Sequence, residues 1–276
     1  MSWHGHLALT YRRDGTRTHA HDRHDGPLRV LKALYPEGDG VCHHVLVHPP
    51  GGMAGGDELD VAVDVGAAAH ALVTSAGAAR FYRSEAKTQA QRVRITLGAD
   101  ARLEWLPLET IAFPGCRAVN AVQMLIDPGA QCLGWDLLAL GLPAAGASFD
   151  AGVMTQRLHW PGVWLEQGRI AADDVALLDS PVGLDGERAL ATLWFASQTP
   201  WPAAQREALL DAAREAAQRH GLDARAGATS PDARLVLLRA LAPRIEPLFA
   251  LCIDVRAAWR RIAWQLDAPP PRIWRT

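Results

Sequence analysis

The feature that most constrains this chain is an alternation of apolar and polar residues, which recurs in short segments from about Leu7 to Phe195 between glycine, proline and aspartate residues. Such alternation indicates half-buried β-strands, because successive side chains of a strand point to opposite faces of a sheet. The clearest segment follows Gly56, with one face formed by Leu59, Val61, Val63 and Val65 and the other by Glu58, Asp60 and Asp64. Similar segments cover 70–75, 91–97, 118–126 and 131–140. The sequence predicts a mainly β protein of stacked, multi-stranded antiparallel sheets. The arrangement is expected to be either a β-sandwich or a solenoid-like fold.

The composition changes after Pro200, where strong helix formers run from Trp201 to His220 and a glycine follows. This run predicts a helix with a glycine at its C-terminal end. A second helical region is predicted from Leu235 to Leu266, broken or kinked by Pro243 and Pro247. The three prolines at 269–271 predict a stiff, extended tail. We expect one domain over 1–276, with a mainly β body (1–199) and a helical part with a C-terminal tail (200–276).

The composition is that of an ordinary globular protein, since 49% of the 276 residues are hydrophobic and 21% are charged. A net charge of −2 argues against a strong attraction to nucleic acid or to anionic membranes. The segment Met1–Ala20 lacks the apolar stretch of a signal peptide, and no later apolar run reaches the roughly 20 residues of a membrane span. We therefore expect a cytoplasmic protein with no membrane partner.

The four cysteines and eleven histidines do not predict a tight metal site. Cys42, Cys116, Cys132 and Cys252 form no close pair, which argues for reduced, buried thiols rather than for a disulfide framework or a zinc motif. His19, His21 and His24 lie in a polar stretch that favours a solvated hairpin tip. In the run 42–44, strand alternation directs His43 away from Cys42 and His44, so the three cannot chelate together.

The sharpest local motif is His48–Asp57, which places four glycines and two prolines between two strands. This composition indicates a loop that needs positive φ angles or close backbone approach at several positions. A phosphate-binding loop is the functional alternative. It is disfavoured because no Gly-Lys-Ser/Thr follows and because Asp57 and Glu58 would repel phosphate.

Motifs along nearly the whole chain resemble those of the UreD family of urease accessory proteins, also called UreH. The strongest are HPPGGMAGGDELDVAVDV (48–65) and TSAGAARFYRS (74–84). Others are HDGPLRV (24–30), YPE (35–37), EWLP (104–107), ETI (109–111), FPG (113–115), WD (135–136), LG (140–141) with PA (143–144), and PRIWRT (271–276). The region 232–247 lacks the Gly-Val-Leu-Val-Arg strand that is usual in the family.

The resemblance implies a non-catalytic scaffold that binds apo-urease and UreF, reaches UreG through UreF, and conducts nickel in transit without holding a tight cofactor. Hard, exchangeable oxygen ligands suit such transit. Asp57, Asp136 and Glu166 match family positions proposed to line an internal channel. Their alternative roles are, in that order, capping a turn, lying solvated on a strand face, and pairing with an arginine.

The C-terminal segment Arg272, Ile273, Trp274 and Arg275 is predicted to dock into UreF, with Trp274 as an apolar anchor. We expect removal of the residues after Ala268 to leave the melting temperature nearly unchanged. If the tail instead packs on its own protein, loss of Trp274 should lower that temperature. Basic and aromatic residues upstream (Arg256, Trp259, Arg260, Arg261 and Trp264) fit a protein interface better than a nucleic-acid surface, given the net charge.

No catalytic constellation is visible, since Ser180 lacks a nucleophile-elbow motif and no metalloprotease motif occurs. We therefore predict that the protein is not an enzyme. A β-rich enzyme acting on a small polar substrate is the main alternative, and a nucleic-acid binder is the weaker one. An enzyme should show a pocket with converging titratable groups, whereas a conduit should show a polar tunnel.

Overall fold

The computed structural model describes residues 2–142 and 145–275, and most of its strands fall into two stacked sheets. Sheet A contains, in spatial order, β15 (Trp164–Ala171), β14 (Gly152–Trp160), β11 (Cys116–Ile126), β8 (Gln89–Leu97), β5 (Glu58–Val65), β1 (His4–Asp14) and β2 (Arg17–Asp25), numbered along the chain. Sheet B contains β17 (Ala226–Asp232), β18 (Leu235–Ala242), β16 (Ala189–Ser197), β12 (Gln131–Leu142), β9 (Arg102–Leu106), β6 (His70–Ser75), β4 (Val41–Val47) and β3 (Arg29–Val30). The short strands β7 (Ala79–Phe81), β10 (Thr110–Ala112) and β13 (Ala147–Ser148) branch from sheet B.

The chain alternates between the two sheets from β4 to β14, so consecutive long strands lie in different sheets. Neighbours within a sheet therefore run in the same direction, as in β5–β8–β11–β14 and in β4–β6–β9–β12. Antiparallel pairing is confined to the ends, for example β1–β2, β14–β15 and β12–β16–β18–β17. The predicted stacked, solenoid-like sheets are confirmed, but the antiparallel pairing is wrong for most of the body.

Two apolar cores separate three layers. The first core lies between the sheets and includes the predicted inward residues of β5, Leu59, Val61, Val63 and Val65. The second lies between sheet B and the helices α2 (Ala203–Arg219) and α3 (Ile245–Trp264). A short helix, α1 (Val175–Asp179), follows β15. The four cysteines are free and buried, as predicted.

The second predicted helical region is wrong at its start, because Leu235–Ala242 is strand β18. Leu235 and Leu237 face the core between the sheets, while Val236 and Leu238 face the helices. A strand covered on both faces has no polar alternation, so its pattern cannot be distinguished from a buried helix. The chain therefore has a strand in the region that lacks the usual family motif.

Both helices that cover sheet B agree with their local sequence signals. Helix α2 is confirmed and is followed by Gly221 at a φ of 66°. Pro247 lies in the first turn of α3, where no backbone N–H is needed, so it does not kink the helix. Among the described residues, no helix combines the length and the apolarity that crossing a membrane requires. Pro143, Ala144 and Thr276, which contribute to the family-like motifs, lie outside the described residues.

Candidate functional site

The two strongest sequence motifs lie against each other. The backbone N–H of Met53 donates to the carbonyl of Arg80 at 2.7 Å, and the N–H of Tyr82 donates back to Met53 at 2.9 Å. A Cβ on Gly52 would lie 2.3 Å from the ring of Tyr82, so only glycine fits there. Gly51 and Gly56 adopt φ angles of 77° and 94°. Both predicted reasons for a glycine-rich loop, close approach and positive φ, are confirmed.

Beside this loop, a cavity of about 290 Å³ extends between the sheets. Its lining at the loop includes His48, Pro49 and Arg80, and its lining within the body includes Asn120 and Asp136. Burial lowers the pKa of His48, against the opposing charge of Asp57. The cavity thus connects the glycine loop with polar groups in the otherwise apolar core between the sheets.

Asp136 is the acidic group of this cavity and lies on the inward face of β12. Its exposed fraction is 7%, so the alternative of a solvated position is wrong. One carboxylate oxygen accepts from Gln156 Nε2 at 2.9 Å, and the other accepts from Asn120 Nδ2 at 3.0 Å. Gln91 Nε2 donates to Asn120 Oδ1 at 3.2 Å, extending the network across sheet A. Burial, assisted by the negative charge of Glu166, raises the pKa of Asp136 to about 7.

Glu166 lies on the inward side of the edge strand β15, near the same polar network. Thr192 Oγ1 donates to its Oε1 at 3.1 Å, and Arg239 Nε donates to its Oε2 at 2.9 Å. The second nitrogen of Arg239 forms an ion pair with the same oxygen. The alternative that Glu166 pairs with an arginine is therefore confirmed, and its charge still acts on Asp136.

Asp57 has a local structural role. Its carboxylate accepts from the backbone N–H of Ala54 at 2.9 Å and from that of Trp3 at 2.8 Å. The alternative that it caps a turn is confirmed. The part of the cavity lining that the structure describes does not include Asp57. The structure thus places Asp136 and Glu166 close together and leaves Asp57 by the glycine loop.

The C-terminal segment packs on its own protein through Trp274. The indole Nε1 of Trp274 donates to Thr74 Oγ1 at 2.8 Å, and its ring lies 5.3 Å from that of Trp135 and 5.5 Å from that of Phe249. Arg272 and Arg275 remain exposed, while Ile273 is partly buried. The expectation that the tail does not pack on its own protein is therefore wrong for Trp274. Arg272 and Arg275 stay accessible to a partner.

Four of the five basic and aromatic residues predicted at an interface on α3 lie inside the protein, whereas Arg261 is exposed. Arg256, Trp259 and Arg260 have no exposed surface. Glu104 pairs with Arg256 at 2.6 Å and with Arg260 at 2.7 Å, and Glu37 pairs with Arg260 as well. Burial alone would raise the pKa of Glu104, but Arg256, His70 and Arg260 hold it well below its ordinary value. The interface interpretation is wrong for the buried residues Arg256, Trp259, Arg260 and Trp264, and for the exposed Arg261 it stays a prediction. The ion pairs of Arg256 and Arg260 with Glu104 anchor α3 to sheet B.

One group of three possible metal ligands occurs among residues 2–142 and 145–275, on the outer face of sheet A. His4, Glu58 and Asp60 each bring one ligand atom to within 4.8 Å of the others. Arg92 lies 3.0 Å from Glu58 and 3.9 Å from Asp60, so a cation already offsets these carboxylates. His43 and His44 have separate partners, Glu37 at 2.7 Å and Tyr11 at 2.9 Å, as strand alternation predicts.

Sequence reasoning missed Gln91, Asn120 and Gln156, the amides around Asp136. Each occupies a position that strand alternation assigns to the core, for example Gln91 in line with Val93 and Ile95. A polar residue at a core position of a strand is the signal that identifies such a network, because buried polar groups require partners.

Comparison with known proteins agrees with the motifs. The model of the family described as UreD urease accessory protein matches residues 4–275. The chain is 55% identical over 276 residues to the urease accessory protein UreD of Variovorax paradoxus, covering all of both chains. It is 55% identical to that of Leptothrix cholodnii, again over all of both chains, and 52% identical to that of Polaromonas naphthalenivorans, over 99% of each.

Proposed function

Because the chain belongs to the UreD family of urease accessory proteins, we propose that it is a scaffold and nickel conduit in urease maturation. In this proposal it bridges apo-urease and UreF in the cytoplasm and contacts UreG through UreF. Nickel is its cargo, and it holds no tightly bound cofactor.

The observation that carries the conduit is a single acidic group, Asp136, on the wall of the cavity between the sheets. Buried carboxylates are costly unless they are bonded or have a function. Asp136 has only amide donors, Asn120 and Gln156, and no cation among its described hydrogen-bond and ion-pair partners. A cation passing through the cavity would supply the missing positive charge.

The chemistry of Asp136 suits transfer better than storage. Carboxylate and amide oxygens are hard, exchangeable ligands, and they bind Ni²⁺ less tightly than thiolates or histidine clusters do. Because the pKa of Asp136 is about 7, a proton and a metal ion compete for its carboxylate near neutral pH. Protonation would therefore assist release of the ion, and Asn120 and Gln156 can turn their oxygens toward it.

The ends of the route are assigned from the flanking groups. Glu166, which is paired with Arg239, lies on the edge strand β15, and we assign it to one end of the route. His48 lies at the glycine-loop side of the cavity, and Asp57 acts on it electrostatically. Arg272 and Arg275, which are exposed on the tail, are the groups we assign to UreF.

The experiment distinguishes the nickel-conduit role, measured as nickel content of urease, from the scaffold role, measured as binding of apo-urease and UreF. Asp136→Asn keeps the side-chain shape and removes the charge, whereas Asp211→Asn makes the same change on the exposed face of α2. Each variant is co-expressed with apo-urease and the other accessory proteins. We expect Asp136→Asn to lower the nickel content of purified urease severalfold while pull-down of apo-urease and UreF is unchanged. Wild-type nickel content in this variant would refute the conduit. Failure of the wild-type protein to capture apo-urease or UreF would refute the scaffold.

One observation favours the alternative of an enzyme. A carboxyl group with a pKa near 7 in a cavity is a feature of acid–base catalysis. Among the described residues, however, its hydrogen-bond partners are two amides, and neither is a nucleophile or a second titratable group. Incubation of the purified protein with urea or GTP tests this alternative, and turnover that Asp136→Asn abolishes would support it.

A further inference from the structure

The outer face of sheet A has a strong charge asymmetry that the conduit does not use. From β8 through β11 and β14 to β15, the outward positions contain no aspartate or glutamate within the described strands. The same positions contain five arginines: Arg92, Arg94, Arg117, Arg157 and Arg169. The chain as a whole has a net charge of −2, so this face is more positively charged than the protein as a whole.

Most of these arginines lack a neutralising partner. Arg92 is paired with Glu58 and Asp60 on β5. Arg94, Arg117, Arg157 and Arg169 are exposed, and none forms a salt bridge with the described residues. Unpaired arginines that are held on a rigid sheet are preorganised to bind carboxylates in a bidentate manner.

Three of these arginines, Arg92, Arg94 and Arg157, border a groove of about 700 Å³ on this face, and Asp60 of β5 borders it on the other side. Strand register places Ala121 of β11 between Arg92 of β8 and Arg157 of β14. Because neighbouring strands are about 4.8 Å apart, the two arginines lie about 10 Å apart across the short alanine. The groove is lined by residues of β1, β5, β8, β11 and β14 at the same register level, so it crosses the strands, and the short Ala121 lies on its floor.

This face also differs from its counterpart on sheet B. The outer face of sheet B is covered by α2 and α3, whereas the arginines of sheet A face solvent. Two exposed leucines, Leu125 and Leu165, lie on the same outward face with exposed fractions of 44% and 57%. Apolar groups beside arginines are typical of protein interfaces.

We infer that the outer face of sheet A, from β8 to β15, is a docking surface for an acidic segment of a protein partner. The segment crosses the strands from β8 toward β15, with its carboxylates on Arg94, Arg157 and Arg169 and apolar side chains on Leu125 or Leu165. A protein segment fits better than nucleic acid because the outward positions of these described strands offer no phenylalanine, tyrosine or tryptophan for base stacking.

The test uses a fluorescein-labelled peptide of 14 residues that alternates glutamate with alanine and has a leucine near each end. Fluorescence anisotropy measures its binding to the full chain. The triple variant Arg94→Gln, Arg157→Gln and Arg169→Gln removes three charges from the docking surface. The matched control, Arg214→Gln, Arg219→Gln and Arg261→Gln, removes three exposed charges from α2 and α3. Melting temperatures verify that both variants fold.

We expect the wild type and the control to bind the peptide alike, and the docking-surface variant to bind at least about tenfold more weakly. The affinity should fall with added salt, because the arginines are exposed. Absence of binding, or an equal loss in both variants, would overturn the inference. Tighter binding of a 20-nucleotide single-stranded DNA, with the same arginine dependence, would also overturn it and indicate a nucleic-acid surface.

Discussion

The indole of Trp274 donates a hydrogen bond of 2.8 Å to the hydroxyl of Thr74, 200 residues earlier in the chain. This contact joins the C-terminal segment to β6 in sheet B. It lies beside Ser75 and Trp135, which both line the cavity between the sheets. The tail is therefore part of the fold as well as a candidate for partner binding, and the two roles are separable by mutation.

Trp274→Ala should destabilise the protein by about 2 kcal/mol, because it removes a half-buried indole that packs on Trp135 and Phe249. Thr74→Val removes only the hydrogen bond and should cost about 1 kcal/mol. Urea unfolding measures both changes. Arg275→Ala, at an exposed position, is the control. Unchanged stability of Trp274→Ala would contradict the packing of the tail.

The double change Arg272→Ala and Arg275→Ala should weaken binding to UreF about tenfold while leaving the melting temperature unchanged, since both side chains are exposed. Pull-down with titrated UreF measures the affinity. Arg261→Ala, exposed on α3, serves as the control. If binding to UreF persists in the double variant, the tail is not the UreF anchor.

Asp136→Asn should raise the melting temperature at about pH 8 more than at about pH 5. The pKa of Asp136 is about 7 in the folded state and 3.8 ordinarily, so between these values the folded state binds more protons than the unfolded state. The contribution of Asp136 to the free energy of unfolding therefore decreases as the pH rises from about 4 to about 7. An asparagine does not titrate, so the variant does not lose stability in this way. In this variant the amide of Gln156 must rotate so that its oxygen accepts a hydrogen bond from the amide nitrogen of the asparagine at position 136.

Thermal melts of the wild type and both variants across this pH range provide the measurement. Asp211→Asn, on the exposed face of α2, should show no such pH dependence. A constant difference between Asp136→Asn and the wild type at every pH would show that Asp136 does not titrate in this window.

Glu104→Gln should cost about 3 to 5 kcal/mol, because it leaves Arg256 and Arg260 buried with less compensating charge. Glu58→Gln, which weakens the exposed pair with Arg92, should have little effect on urea unfolding. Similar stabilities for the two variants would mean that the buried ion pairs do not hold α3 on sheet B.

Asp57→Ala combined with Glu166→Ala should lower the nickel content of urease in cells, since both carboxylates flank the proposed route. Metal analysis of purified urease measures the effect. Loss of the turn cap at Asp57 should cost about 1 kcal/mol, so the melting temperature of the double variant must be recorded as well. Full nickel occupancy with a folded double variant would exclude both residues from the route.

The local sequence was sufficient to predict the strands at 58–65, 70–75, 91–97, 118–126 and 131–140, but not β18. Leu59, Val61, Val63 and Val65 illustrate this, because alternation reports directly on the two faces of a strand. It was also sufficient for α2 and for the glycine loop, where residue type limits the backbone angles. Family membership followed from motifs spread along the chain, without any knowledge of contacts.

Only the tertiary structure decided the direction of pairing, the identity of β18 and the surroundings of the charged residues. Parallel pairing depends on the chain alternating between two sheets, which no single strand encodes. Asp136, Arg256 and Arg260 look like surface residues locally, but partners far along the chain bury them. The physical reason is that a charge tolerates burial only through specific hydrogen bonds and counter-charges, and these are assembled by the fold.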